Sequence, residues 1–192
     1  MYLSGCDPEL LVGNFMGDFV KGSIGNAYAP RIALGLKLHR KIDCFAQNNL
    51  HFQTSRLRLA PRYGLYRGVL VDLFYDHFLA IEWTSWAKTP LSEYISSTRT
   101  IVESYLDIMP ERLREFVPII YTELLPSYAQ ISGIESALAR MSRRVARANL
   151  LAEGGAELTI HYDELKADFG RFIIEAQRYS TEFISIADSI ER

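Results

Sequence analysis

The residues of this 192-residue chain that could do chemistry fall in a few short stretches. In Val-Asp-Leu-Phe-Tyr-Asp-His-Phe-Leu (71–79), Asp72 and Asp76 stand four apart. At about 100° per residue they share one helical face, with His77 roughly 100° further round. Carboxylates in an otherwise apolar helix are costly unless they are paired or bound to a cation. Two readings follow: metal ligation, or pairing with arginines while His77 is a satisfied core residue. In Leu-His-Arg-Lys-Ile-Asp (38–43), His39 and Asp43 are also i, i+4. They can present an imidazole nitrogen and a carboxylate oxygen to one cation, although the same spacing serves a simple helix-surface hydrogen bond. Two such helices in one small chain are more specific than either alone. Mixed His and carboxylate ligands suit Mn²⁺, Co²⁺ or Fe²⁺ better than a structural, Cys-rich zinc site.

A third stretch, Gly-Asn-Phe-Met-Gly-Asp-Phe-Val-Lys-Gly (13–22), places Asn14 and Asp18 at i, i+4. Gly13, Gly17 and Gly22 allow close approach of backbone or ligand, and Lys21 can reach a phosphate. Asp18 either joins a site or closes the loop after a short helix. Arg140, Arg143, Arg144 and Arg147, with Ser142 among them, form a basic stripe. Such a stripe is either a solvated face or a docking surface for an anionic partner or phosphate. No P-loop, dinucleotide glycine fingerprint, Gly-x-Ser-x-Gly or Cys-x-x-Cys is present. Cys44, although next to Asp43, has no base to pair with and reads as structural.

The elements that must position these residues read as helices throughout. The fold class is all-α: a single-domain bundle of about seven helices over residues 1–192. Asp7 is suited to N-cap a first helix with Pro8 at its first position. A second helix starts near Pro30 and carries the stripe Leu34, Leu38, Ile42, Phe45. The basic segment Phe52–Arg62 is assigned helix on weaker periodicity. Val69 to Trp86 is apolar nearly all round and belongs in the middle of the bundle. Leu91–Met109 follows, then Glu111–Tyr128, broken by Pro118 and Pro126. From Gly133, residues Ile134, Leu138, Met141, Val145 and Ala148 make another stripe. After Gly154-Gly155 a last helix runs from about Ala156, with Leu158, Tyr162, Leu165, Phe169, Phe172 and Ile173 inward.

Composition narrows the class of protein. Lys and Arg number 21 against 23 Asp and Glu, and the net charge of -2 argues against a general nucleic-acid binder. Cys6 and Cys44 are the two cysteines. With no secretory h-region ahead of them they fit free thiols in a reducing cytoplasm. No run of roughly 20 apolar residues is available to span a bilayer.

At these same residues the chain resembles the acyl-carrier-protein phosphodiesterases, or holo-ACP hydrolases. The resemblance is carried in order by 13–22, 38–43, 71–79, Met-Ser-Arg-Arg (141–144) and His-Tyr (161–162) with the Leu165/Phe169/Phe172 spacing after it. That family is a noncanonical branch of the helical HD-type metal phosphohydrolases. The resemblance implies an HD-like fold and removal of 4′-phosphopantetheine from holo-acyl carrier protein, an acidic partner, to leave the apo form. On that footing His39, Asp43, Asp76 and His77 are expected to hold a divalent metal, Mn²⁺ before Co²⁺, Fe²⁺ or Mg²⁺. Asp18 and Asp72 are expected to serve catalysis or orient the ligands. Lys21, Arg40, Arg143 and Arg144 are expected to bind substrate, and the Arg140–Arg147 stripe to dock the carrier protein. Two departures stand out. The His-Asp dipeptide of ordinary HD enzymes is replaced by the reversed Asp76-His77. Family members also usually carry a few residues, with an Asn and a His, before the Tyr-Leu-Ser-Gly found here at 2–5, so a late or truncated start is expected. The competing readings are an HD-like hydrolase of a nucleotide or small phosphodiester, and a non-catalytic helical module that binds an acidic partner.

Overall fold

A computed structural model describes residues 1–190, and every regular element among them is helical. In chain order these are α1 (Pro8–Met16), α2 (Pro30–Asn48), α3 (Leu50–Arg58), α4 (Arg67–Ile81), α5 (Trp83–Trp86), α6 (Leu91–Glu103), α7 (Glu111–Ile119), α8 (Leu125–Ser127), α9 (Ile131–Arg144), α10 (Gly155–Ile160) and α11 (Tyr162–Ile190). The all-α class is as expected. Eleven segments rather than about seven arise because several predicted helices are broken. Glu82, at φ -100° and ψ 13°, interrupts the expected Val69–Trp86 helix between α4 and α5. Near Pro118, which has no N–H to give, α7 passes into a π-helical turn at Ile120–Leu124. The chain turns extended at Val145 (φ -84°, ψ 120°), so Val145, Arg147 and Ala148 lie beyond α9 rather than on its stripe. His161 separates α10 from α11. None of the described helices is long and apolar enough to cross a membrane.

The chain divides into two compact units, each assembled from separated segments. The first comprises Met1–Asn48, Ser97–Pro118 and the chain from Ile173 onward; the second comprises Asn49–Ser96 and Ile119–Phe172.

In the first unit α1 and α2 pack face to face. Asp7 caps α1, its carboxylate accepting from the Leu10 amide at 3.0 Å, with Pro8 at the first helical position. The α2 stripe points inward as read. Leu34 and Leu38 form a core with Leu10, and Ile42, Phe183, Ile184 and Ala187 pack against it. Phe45 continues the stripe by stacking on Tyr179 at 4.7 Å between ring centroids. Burying one such leucine contributes roughly 1.5–3 kcal/mol. The helices can touch at this distance because of two glycines. A Cβ on Gly13 would sit 2.1 Å from the Ile32 carbonyl oxygen, and one on Gly35 would sit 2.3 Å from that of Leu10.

In the second unit α4 supplies Leu70, Val71, Phe74 and Phe78, all fully buried. Its surroundings differ from the all-round burial expected, because Asp72 and Asp76 lie on an exposed side. The desolvation cost that made these carboxylates noteworthy therefore does not arise. Phe52, Tyr75, Phe169 and Phe172 form an aromatic cluster with centroid separations of 5.1–5.8 Å. The most deeply buried carboxylate among the described residues of this unit is Asp168, 2% exposed. It accepts from Ser55 Oγ at 3.1 Å and Arg58 Nε at 3.0 Å, with Arg171 at 3.6 Å. A buried charge needs such partners.

Candidate active site

The α1–α2 crossing sets the geometry. Gly13 and Gly35 bring the two backbones together, and one turn further along each helix stand Gly17 and His39. A Cβ at Gly17 would fall 2.0 Å from His39 Cγ, so the imidazole lies directly against bare backbone. Its two nitrogens then face different environments. On the inner side, Nδ1 is 3.2 Å from Asn14 Oδ1. Asn14 Nδ2 donates to Ser4 Oγ at 2.6 Å, and both residues are buried. That second hydrogen bond orients the Asn14 amide with its oxygen toward His39, which makes Nδ1 the protonated nitrogen.

On the outer side, His39 Nε2 meets Asp43 Oδ2 at 3.4 Å and Asp18 Oδ1 at 3.6 Å. The His39 side chain is 18% exposed, whereas Asp18 is 77% and Asp43 57% exposed. The imidazole is thus fixed in the fold while the carboxylates remain open to a solvent-borne substrate. Lys21 acts on both carboxylates through its charge. Arg40 donates from Nη2 to the Val20 carbonyl at 3.1 Å, which ties the Asp18–Lys21 loop to α2.

The three groups shift one another. Partial burial works against the imidazolium of His39, but the contact with Asp18 and the charges of Asp43 and Asp18 outweigh it and raise the pKa. The contact with His39 holds the Asp18 carboxyl below its usual range, helped by Lys21 and opposed by burial. Asp43 is pushed up, first by partial burial and then by the like charge of Asp18, against the pull of His39 and Lys21. One carboxylate is low and its neighbour high, a divergence that suits an acid–base pair.

One imidazole nitrogen and two carboxylates make a donor set whose chemistry fits a divalent cation. Among the described residues, however, no group of three or more His, Cys, Asp and Glu side chains stands in a geometry that could hold a metal ion.

Asp72, Asp76 and His77 belong to the second unit. His77 is 2% exposed. Its Nδ1–H donates to the Tyr128 carbonyl at 2.8 Å and its Nε2 accepts from the Tyr162 hydroxyl at 3.0 Å. A neutral imidazole has both nitrogens satisfied there, and burial lowers its pKa. A metal at Nε2 would have to displace Tyr162. Asp72 and Asp76 lie near Tyr128, whose hydroxyl pKa is raised by burial and then by their two charges. Arg143 and Arg144 occupy the last turn of α9. Arg140 is paired with Glu123.

Of the residues singled out from sequence, Asp18, His39 and Asp43 are brought together, with Lys21 and Arg40 on the same loop and helix. Asn14 was read only as a neighbour of Asp18; its hydrogen bond to His39 needs the α1–α2 crossing and has no sequence signature of its own. Ser4 gave no signal. Tyr162, read as core, is also the hydroxyl partner of His77.

The family profile described as "Acyl carrier protein phosphodiesterase" matches residues 1–176. The chain belongs to the acyl carrier protein phosphodiesterase family. Curated relatives with that name include proteins from Pectobacterium atrosepticum, 27% identical over 90% of both chains, and Photorhabdus laumondii, 26% identical over 90% of this chain and 88% of the relative. Another, from Klebsiella pneumoniae, is 27% identical over 93% of each. No solved structure matches significantly. Of the segments that carry the likeness to acyl carrier protein phosphodiesterases, 13–22 and 38–43 build the His39 cluster. Residues 71–79 lie in α4, and 141–144 close α9.

Proposed function

We propose that this chain hydrolyses the phosphodiester between 4′-phosphopantetheine and the serine of holo-acyl carrier protein, leaving apo-carrier protein. Membership of the phosphodiesterase family over residues 1–176 carries the reading. The solvent-open cluster of His39, Asp18 and Asp43 supplies groups of the right kind for it.

In this mechanism a water attacks phosphorus and the bond from phosphorus to the serine oxygen breaks. Asp18, the more exposed carboxylate, accepts the proton of the attacking water. The proton taken by Asp18 passes through solvent to the leaving serine oxygen, so the products are a phosphomonoester and a free hydroxyl. Lys21 stabilises charge on the non-bridging phosphoryl oxygens, and Arg40 holds the loop that carries Asp18 and Lys21. Asn14 and Ser4 keep Nε2 of His39 turned outward. His39 and Asp43 would hold a divalent cation, Mn²⁺ being the first choice, and such a cation supplies Lewis acidity and lowers the pKa of bound water. The exposed free thiols Cys6 and Cys44 support a cytoplasmic setting.

The deciding experiment measures phosphopantetheine release from holo-carrier protein with and without added Mn²⁺. Release by the wild-type chain, lost in both His39→Ala and Asp43→Ala, is the expected result. Full activity in both variants would remove this cluster from the mechanism.

A further inference from the structure

The segment from Asn49 to Gly68 contains Arg56, Arg58, Arg62 and Arg67 and no Asp or Glu. The same segment exposes three leucines: Leu50 at 70%, Leu57 at 76% and Leu65 at 90%. A single exposed leucine calls for no explanation; three within sixteen positions, among arginines alone, do. Leu50 and Leu57 are two turns apart on α3 and share a face. Leu65 is held outward by a defined turn. Gly64 adopts φ +51°, a conformation that disfavours any side chain. Before it, Tyr63 is buried and its hydroxyl donates to the Glu153 carbonyl at 3.2 Å. After it, Arg67 Nε donates back to the Gly64 carbonyl at 3.2 Å.

The two ends of the segment meet. A Cβ on Gly68 would lie 3.8 Å from Arg56 Nε, so the last turn of α3 lies beside the stretch that carries Leu65 and Arg67. Arg58 faces inward to Asp168; Arg56, half-buried with its Nε enclosed, Arg67, half-buried, and Arg62, exposed, neighbour the leucines in the chain. Arg62 lies over the Tyr63 ring and donates to its hydroxyl at 2.9 Å, and its contact with Glu153, at 3.5 Å with both side chains about half exposed, is loose.

We propose that this face, centred on Leu57 and Leu65 with Arg56, Arg62 and Arg67 around it, docks the acyl carrier protein. The inference rests on the activity proposed above and adds the surface that recognises the protein part of the substrate. Exposed apolar anchors inside a charged rim are what a specific protein partner uses. An all-arginine rim selects an acidic one and speeds the encounter. The α9 stripe is the poorer surface, because Arg140 is paired with Glu123 and its most exposed large apolar residue is Met141 at 38%. A nucleic acid would use the arginines and leave the leucines without purpose.

The test compares wild type, Leu57→Ser/Leu65→Ser, Arg56→Glu/Arg67→Glu and Arg143→Glu/Arg144→Glu. Three readouts are needed: kcat and KM on holo-carrier protein, Kd for apo-carrier protein, and turnover of bis(p-nitrophenyl) phosphate. The expected result is a rise of about tenfold or more in KM and Kd for the first two variants, with kcat and small-diester turnover unchanged. The arginine effect should shrink as salt is added. A wild type that hydrolyses carrier protein while both α3-face variants match it would overturn the docking site alone. So would a larger effect from Arg143→Glu/Arg144→Glu, or concentration-dependent self-association abolished by Leu57→Ser/Leu65→Ser. A wild type that neither binds nor cleaves carrier protein would overturn the activity and the docking site together. Binding without cleavage, lost in the α3-face variants, would uphold the docking site and overturn the activity.

Discussion

Asn14 Oδ1 lies 3.2 Å from His39 Nδ1, and through that contact a buried amide sets the tautomer of the imidazole whose other nitrogen meets Asp18 and Asp43. Asn14→Ala removes the acceptor and frees the ring to change tautomer. Loss of a group that orients a functional histidine typically lowers activity or metal affinity about 10–100-fold. Phosphopantetheine release should fall by that order, and the ¹⁵N shifts of the His39 ring should report a mixture of tautomers. Unchanged shifts together with unchanged release would remove Asn14 from the site.

His39 and His77 should titrate on opposite sides of the ordinary value of about 6.5. His39 is raised by Asp18 and Asp43 against burial, and burial lowers His77. The stability consequences are opposite in sign. For His39 the contribution is present below the unfolded pKa and is lost as pH rises through the folded one. For His77 it is present above the unfolded pKa and is lost as pH falls from about 6.5 toward the folded one. Imidazole resonances followed by NMR from pH 4 to 9 give the order directly, and His77→Gln should flatten the acid side of the stability curve.

Gly17→Ala should inactivate without unfolding. The new methyl would meet His39 at 2.0 Å, and the neighbour that gives way is a side chain rather than backbone. A fall in kcat with circular dichroism unchanged is expected. Gly170→Ala provides the contrast, since nothing lies within 4 Å of that Cβ. In a helix interior it should add about 0.5–1 kcal/mol of stability.

Asp168→Ala should be the most damaging change far from the proposed chemistry. It leaves the Arg58 guanidinium without its carboxylate and the buried Ser55 hydroxyl with the Tyr75 hydroxyl as its remaining partner. Breaking a buried pair from one side costs about 3–5 kcal/mol. A large drop in the thermal midpoint is the expected measurement; a drop matching that of an exposed substitution would contradict the network.

What could be read from the sequence followed the distance between the partners. The Asp7 cap, the Leu34/Leu38 stripe and the His39–Asp43 pair are contacts within one helix or its first turn, where spacing is geometry. Asp18 joined them because the glycine-rich loop is short. The apolar residues of α4 outnumber the polar ones so far that the pattern hides its open side, which Asp72 and Asp76 define. His77 illustrates the harder limit: whether an imidazole is a ligand or a satisfied core group depends on Tyr128 and Tyr162, more than fifty and eighty positions away in the chain. Asp168 was missed because one carboxylate beside the Leu165/Phe169/Phe172 stripe looks like the helix's polar edge.

The Gly13–Gly35 contact has a consequence for how this protein can change over time. Because backbone touches backbone where α1 meets α2, the spacing of the two helices beside His39 is set at Gly13 and Gly35 as well as by the Leu10, Leu34 and Leu38 core. At 13, 17 and 35 even a methyl group collides with a carbonyl or with the ring itself, so those three positions admit no side chain without moving a helix or the imidazole.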